Sequence, residues 1–233
     1  MFVGHLAVGL AAKARAPRTS LGVFVAAALG LDLIWPIFLL LGIEHVHVEP
    51  GITKFTPLAF DSYPWTHSLV MAVVWGLLGA FLVRLRKRKD VRTQGLVFVL
   101  VVSHWVLDFA SHRPDMPLWP GNSPHVGLGL WNSIPATFIV EGLLFALGLF
   151  LYLRTTQPVD LLGSIVFWFW VAVSTFMWAG QPWSPPPPNQ RSLALFSLVV
   201  WLLPLWAGWA DSHRVWRRDS IAQTMAKLHR TST

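Results

Sequence analysis

The sequence predicts an all-α protein, a polytopic transmembrane helical bundle of about six spans preceded by a short N-terminal half-helix. Three observations predict it. Of the 233 residues, 54% are hydrophobic and only 12% are charged, about half the charged share of a water-soluble domain. That leaves too little polar surface for a solvated globule and too much apolar material for a disordered chain. The apolar residues gather in long runs, and the Lys and Arg residues gather in short clusters between those runs. No cysteine is present, which excludes a disulfide scaffold. The net charge of +7 reads as membrane topology and not as a nucleic-acid surface, because the basic residues flank apolar runs.

The elements follow in chain order. Residues 2–12 are apolar but too short to span, and their positive charges (Lys13, Arg15, Arg18) follow the run, opposite to a secretory signal. At 1.5 Å per residue, residues 21–43, 66–83, 95–110, 134–153, 161–180 and 193–210 each cross, or nearly cross, a hydrocarbon core of about 30 Å. The run Pro185 to Pro188 cannot be helical and separates the last two. Trp216, Ile221, Met225 and Leu228 recur at near-helical intervals among basic residues, so residues 216–228 are expected to lie on the membrane surface. The expected organisation is a metal-site core over residues 1–153, with residues 154–233 adding helices and a basic tail to one integrated membrane domain.

Alternate crossing places all of the 18 Lys and Arg residues except Lys54, Arg113 and Arg191 on one side. By the positive-inside rule that side is cytoplasmic, which puts both termini there, in a bacterial-type inner membrane.

Several ionisable residues interrupt the apolar runs: Asp32 in the first, His104 and Asp108 in the third, Glu141 in the fourth. A charge at the bilayer centre costs about 2.5–3.5 kcal/mol on insertion scales, so these groups should face one another, a cation or water. No Lys or Arg lies within the spans, and imidazoles with carboxylates form a ligand set for a divalent metal. His104, Asp108 and His112 are spaced i, i+4, i+8, one face of a continuous helix. His67 stands near the outer end of the second span, where Thr66 and Ser68 can fix its tautomer. His5, on the half-helix, reaches the depth of Asp32. Glu141 or Asp115 is expected as general base, with Glu141 as a further ligand the alternative that sequence does not separate. Glu44, His45, His47 and Glu49 read as a solvated loop, and Asp61 and His125 as residues near the mouth.

The order His5, Asp32, Thr66-His67-Ser68, then Ser103-His104-Trp105-Val106-Leu107-Asp108 resembles the YdjM-like family of inner-membrane metal-dependent hydrolases, over residues 1–145. A more distant likeness is to zinc-dependent phospholipase C and the P1-type nucleases. That likeness implies one zinc on Asp32, His67 and His104, with Asp108 bridging to a second and His5 completing it. The later His-x-x-x-Glu pair of those enzymes is missing, because Thr137 stands four before Glu141. The resulting expectation is a hydrolase with one or two divalent ions, zinc first among them. Its substrate would be a phosphoester or lipid-linked molecule reached from the extracytoplasmic side, and its partners membrane lipids. The rival reading is a proton- or metal-coupled transporter.

Overall fold

A computed structural model describes residues 1–86 and 90–217. The basic positions 87–89 and most of the expected surface helix over 216–228 lie outside them. The described part of that segment is not helical at its start: Arg214–Trp216 forms a short strand.

The chain is a helical bundle. α1 (Val3–Ala12) is followed by α2 (Leu21–Ala28) and α3 (Gly30–Leu40), then a hairpin of β1 (His45–Val48) and β2 (Leu58–Ser62). Next come the single turn α4 (Pro64–His67), α5 (Leu69–Arg86) and α6 (Val91–Ser111). A small ladder of β3 (Met116–Pro117) and β4 (His125–Val126) leads to α7 (Ile134–Thr155). β5 (Thr156–Pro158), α8 (Leu161–Gly180), α9 (Gln190–Ser197), α10 (Leu202–Ser212) and β6 (Arg214–Trp216) complete it. Among the described residues, five helical segments are long and apolar enough to cross a membrane, or six if the bent pair α2–α3 counts as one span. Polar residues stop the chain from running on: Asp90, Ser133, Asp160 and Asn189 each accept a hydrogen bond from a backbone N–H in the first turn of α6, α7, α8 and α9, which satisfies donors that a helix leaves open.

Two expectations about the spans are corrected. The run over 21–43 is not one rod; it breaks at Leu29 with a 55° bend and ends at Leu40. The second long helix begins at Leu69, so His67 belongs to the preceding turn and not to the span.

The basic loops meet at one end of the bundle. Arg92 Nη1 donates to the Arg15 carbonyl (3.2 Å), the Thr19 and Thr93 hydroxyls bond at 2.7 Å, and Lys13 pairs with Asp211. β5, which follows Arg154, pairs antiparallel with β6. α1 ends at this basic end. It begins deep in the bundle, where the Met1 amine reaches Asp108 Oδ1 and Ser111 Oγ. Met1 is therefore buried inside the bundle, at the end of α1 away from the basic loops. α1 is held close to α7 because position 148 is glycine: a Cβ there would stand 2.5 Å from the Ala7 carbonyl oxygen.

Candidate metal centre

The break between α2 and α3 builds the site. It leaves the Ala28 carbonyl open to a side chain, and His104 on α6 takes it, Nδ1 to O 2.7 Å. Asp32 follows in the first turn of α3, where a helix N-terminus favours a carboxylate. From α6, His104 and Asp108 project one turn apart. His67 enters from α4 and His5 from α1. In two overlapping groups, His5, His104 and Asp108, and Asp32, His67 and His104, the ligand-type atoms lie within 4.8 Å of one another.

The hydrogen bonds around the imidazoles assign their tautomers. A carbonyl only accepts, so His104 carries a proton on Nδ1, and as a neutral ring it turns a bare Nε2 toward Asp108 Oδ2 (3.0 Å) and Asp32 Oδ1 (3.7 Å). His67 Nδ1 lies 2.7 Å from Thr66 Oγ1, and that hydroxyl donates its only proton to Glu44 Oε2 at 2.7 Å. Thr66 therefore accepts from His67, whose Nε2 is left bare 3.5 Å from Asp32 Oδ1 and 3.9 Å from Asp108 Oδ2. With both imidazoles neutral, four acceptors converge here, and the Met1 amine reaches only the other oxygen of Asp108, Oδ1. His104 Nε2 has no hydrogen-bond partner in the structure. Stacked acceptors of this kind repel unless a cation lies among them, and the nitrogen and oxygen set suits zinc. On the other side of Asp108, His5 Nε2 lies 3.0 Å from Oδ1, and the His5 ring stacks on His104 with centroids 3.8 Å apart and planes within 2°. His5, His67, His104 and Asp108 are buried, whereas the Asp32 side chain is 32% exposed, which gives the cluster its opening.

Three predicted residues belong to neither ligand group. His112 is not on the face of α6 that carries His104 and Asp108. The helix ends at Ser111 and His112 is extended, with ψ 148°, because Pro114 disfavours helix in the residues before it. Its Nδ1 bonds Asp115 Oδ1 at 3.0 Å, and its ring lies among Phe60, Tyr63 and Trp131. Asp115 has both oxygens engaged: Oδ1 also accepts from Tyr63 (3.0 Å), and Oδ2 accepts from Arg113 Nε (3.0 Å). Burial pushes its carboxyl up, but these hydrogen bonds outweigh burial and hold it below the usual value. Glu141 Oε2 accepts from the backbone N–H groups of Phe2 (2.9 Å) and Gly4 (3.3 Å) and so caps α1. Its Oε1 is buried with no partner.

Sequence reasoning missed Glu44. It is not a solvated loop residue but is fully buried, 0% exposed, and besides Thr66 Oγ1 it accepts from the backbone N–H groups of Trp65 and Thr66, both 2.8 Å. Burial pushes its carboxyl above the ordinary range, with these donors opposing the shift. No local signal marks it, since its partners lie 21 and 22 residues away. Thr66 was legible as the residue beside His67. The other loop residues do stay outside: His47 pairs with Asp61 and Glu49 on the exposed hairpin, and the Asp61 bond raises its pKa.

Fold and site together describe a helical bundle of membrane type with a buried histidine–carboxylate cluster. No protein family, curated protein or solved structure matches the chain.

Proposed function

We propose that the protein is a membrane-embedded metal-dependent hydrolase, with zinc as the first candidate ion. One observation carries the reading: His67 Nε2, His104 Nε2, Asp32 Oδ1 and Asp108 Oδ2 converge as acceptors with their protons directed elsewhere. Asp32, His67, His104 and Asp108 would hold one ion, and His5 with Asp108 would serve a second only where the Met1 amine gives up Asp108 Oδ1. A divalent ion bound there lowers the pKa of bound water toward about 7 and polarises a phosphoryl or acyl oxygen. The chain's own groups supply the rest. Ala28 and the Thr66–Glu44 pair hold the two imidazoles in the metal-ready tautomer. Asp32 faces the opening through which substrate arrives.

Of the two carboxylates expected as general base, Asp115 has no free oxygen, whereas Glu141 keeps Oε1 uncommitted, and the base role falls to Glu141. His104 is 13 residues beyond the start of α6 at the basic end and seven before its other end, about 20 Å and 10 Å at the helical rise. With the basic end cytoplasmic, the cluster lies in the outer half of the bilayer, which suits a phosphoester or lipid-linked substrate reached from the extracytoplasmic side. The likeness of the His5 to Asp108 series to the YdjM-like family supports the same reading.

Metal analysis of the detergent-purified protein tests it. Wild type should retain at least one zinc per chain, and His104→Ala and Asp108→Ala should lose it while keeping their helical circular dichroism. Folded wild type that takes up no zinc on reconstitution refutes the reading.

A further inference from the structure

A second polar site lies at the basic end of the bundle, remote from the histidine cluster. A cavity of about 440 Å³ is lined there by Lys13, Arg18, Ser20, Asp211 and Arg214, among others. The charges within it do not cancel. Lys13 gives one proton to Asp211 and another to the Thr19 carbonyl. Asp211 also accepts from Leu21 N (2.9 Å) and Tyr152 Oη (2.8 Å), so both its oxygens are engaged. Among the described residues no carboxylate forms an ion pair with Arg214, Asp211 acting on it only at longer range. Arg214 is only 9% exposed, its Nε donates to Thr156 Oγ1 (3.1 Å), and its guanidinium lies over the Tyr152 and Phe167 rings, 5.2 and 4.9 Å from their centroids. Those contacts fix the plane of the group and leave its terminal nitrogens without a protein acceptor among the described residues. Arg18, exposed on the same rim, makes no hydrogen bond there either. The Ser20 hydroxyl accepts from Gly22 N (3.2 Å) and has its own proton to give.

A buried guanidinium lacking a carboxylate is costly unless an anion meets it, and a planar fork held by stacking suits a tetrahedral oxyanion. We propose that this cavity binds a phosphate-bearing anion, with Arg214 as its buried anchor, Arg18 as a second cation at the rim and Ser20 as a hydroxyl donor. Basic pockets between membrane helices hold anionic head groups in this way. The site is independent of the hydrolase reading and stands or falls separately.

The test is the thermal midpoint of the full chain in neutral detergent, titrated in turn with phosphatidylglycerol, phosphatidylcholine and inorganic phosphate. A saturable rise with phosphatidylglycerol alone supports a lipid head group, and a rise with inorganic phosphate as well supports a soluble anion. Arg18→Gln, at an exposed position without bonds, should fold normally and weaken the apparent affinity about fivefold, the share of one basic residue near a membrane surface. Arg84→Gln, exposed outside the cavity, should leave it unchanged. No rise with phosphatidylglycerol or phosphate overturns the proposal. So does a rise that Arg18→Gln leaves at full strength, or one that phosphatidylcholine matches.

Discussion

Two buried polar clusters in this bundle look alike in composition and differ in their proton count. At the basic end, the Lys13–Asp211 pair is closed: Lys13 donates to Asp211 and to the Thr19 carbonyl, and Asp211 accepts from Lys13, Leu21 N and Tyr152. Both charges there have partners, and the cluster pins α10 to the loop before α2. At the broken helix, Asp32, His67, His104 and Asp108 bring acceptors together and send their donors away, to Ala28 and to Thr66. The first cluster is complete as it stands. The second is the one that the proposed ion would complete. Burial of charge is common to both, so burial does not mark function here; the imbalance between donors and acceptors does.

The comparison can be broken most sharply at Asp108. Asp108→Ala should abolish bound metal, as read by elemental analysis, while leaving the Lys13–Asp211 clasp intact. The reverse experiment is Lys13→Ala, which strands a buried carboxylate. It should cost about 3–5 kcal/mol in stability, seen as a lower denaturation midpoint, with metal stoichiometry unchanged in the folded fraction. If Lys13→Ala also strips the metal, the two clusters are not separable.

Glu44→Gln sharpens the contrast with a smaller effect. The carboxylate makes Thr66 donate toward it, so that Thr66 accepts from His67. An amide nitrogen in its place donates to Thr66, turns that hydroxyl toward His67 Nδ1 and moves the imidazole proton to Nε2. Zinc affinity should fall about 10- to 100-fold, with nitrogen-15 NMR of labelled histidine reporting the exchanged tautomer. Gly148→Ala tests the route by which His5 reaches the cluster. A Cβ 2.5 Å from the Ala7 carbonyl must push α1 from α7, costing about 1–3 kcal/mol and disturbing the second ion before the first.

The smallest effect belongs to Asp115. Its folded pKa lies below the ordinary carboxylate value, so its contribution is present above the unfolded value, about 3.9, and is lost as pH falls through the folded one. Asp115→Asn should lower the midpoint at pH 7 by the equivalent of about 1–2 kcal/mol and flatten the acid limb of the stability profile. Metal content should stay at the wild-type level.

Much of the fold was legible because apolar length is a one-dimensional property. The run over 161–180 coincides with α8, and those over 95–110 and 134–153 lie within α6 and α7. The bend at Leu29 was missed although Gly30, just past the α2 C-cap, is a helix-end signal; what fixes it is His104, 76 residues away, which takes the Ala28 carbonyl. For His112 a signal was present in Pro114, and helical spacing was extended past it. Glu44 had none: a glutamate after Gly42 and Ile43 reads as loop, and its partners come from another segment.

From sequence alone came the helical membrane-type architecture and the set of imidazoles and carboxylates that an apolar bundle must bring together, because lipid-length runs and misplaced charges are visible residue by residue. Tertiary structure alone decided which nitrogen of each histidine faces the cluster, which carboxylates are already satisfied, and that Arg214 meets a cavity without an ion-pair partner among the described residues. Each of these depends on where protons point between segments far apart in the chain, and hydrogen-bond direction is a property of the packed arrangement.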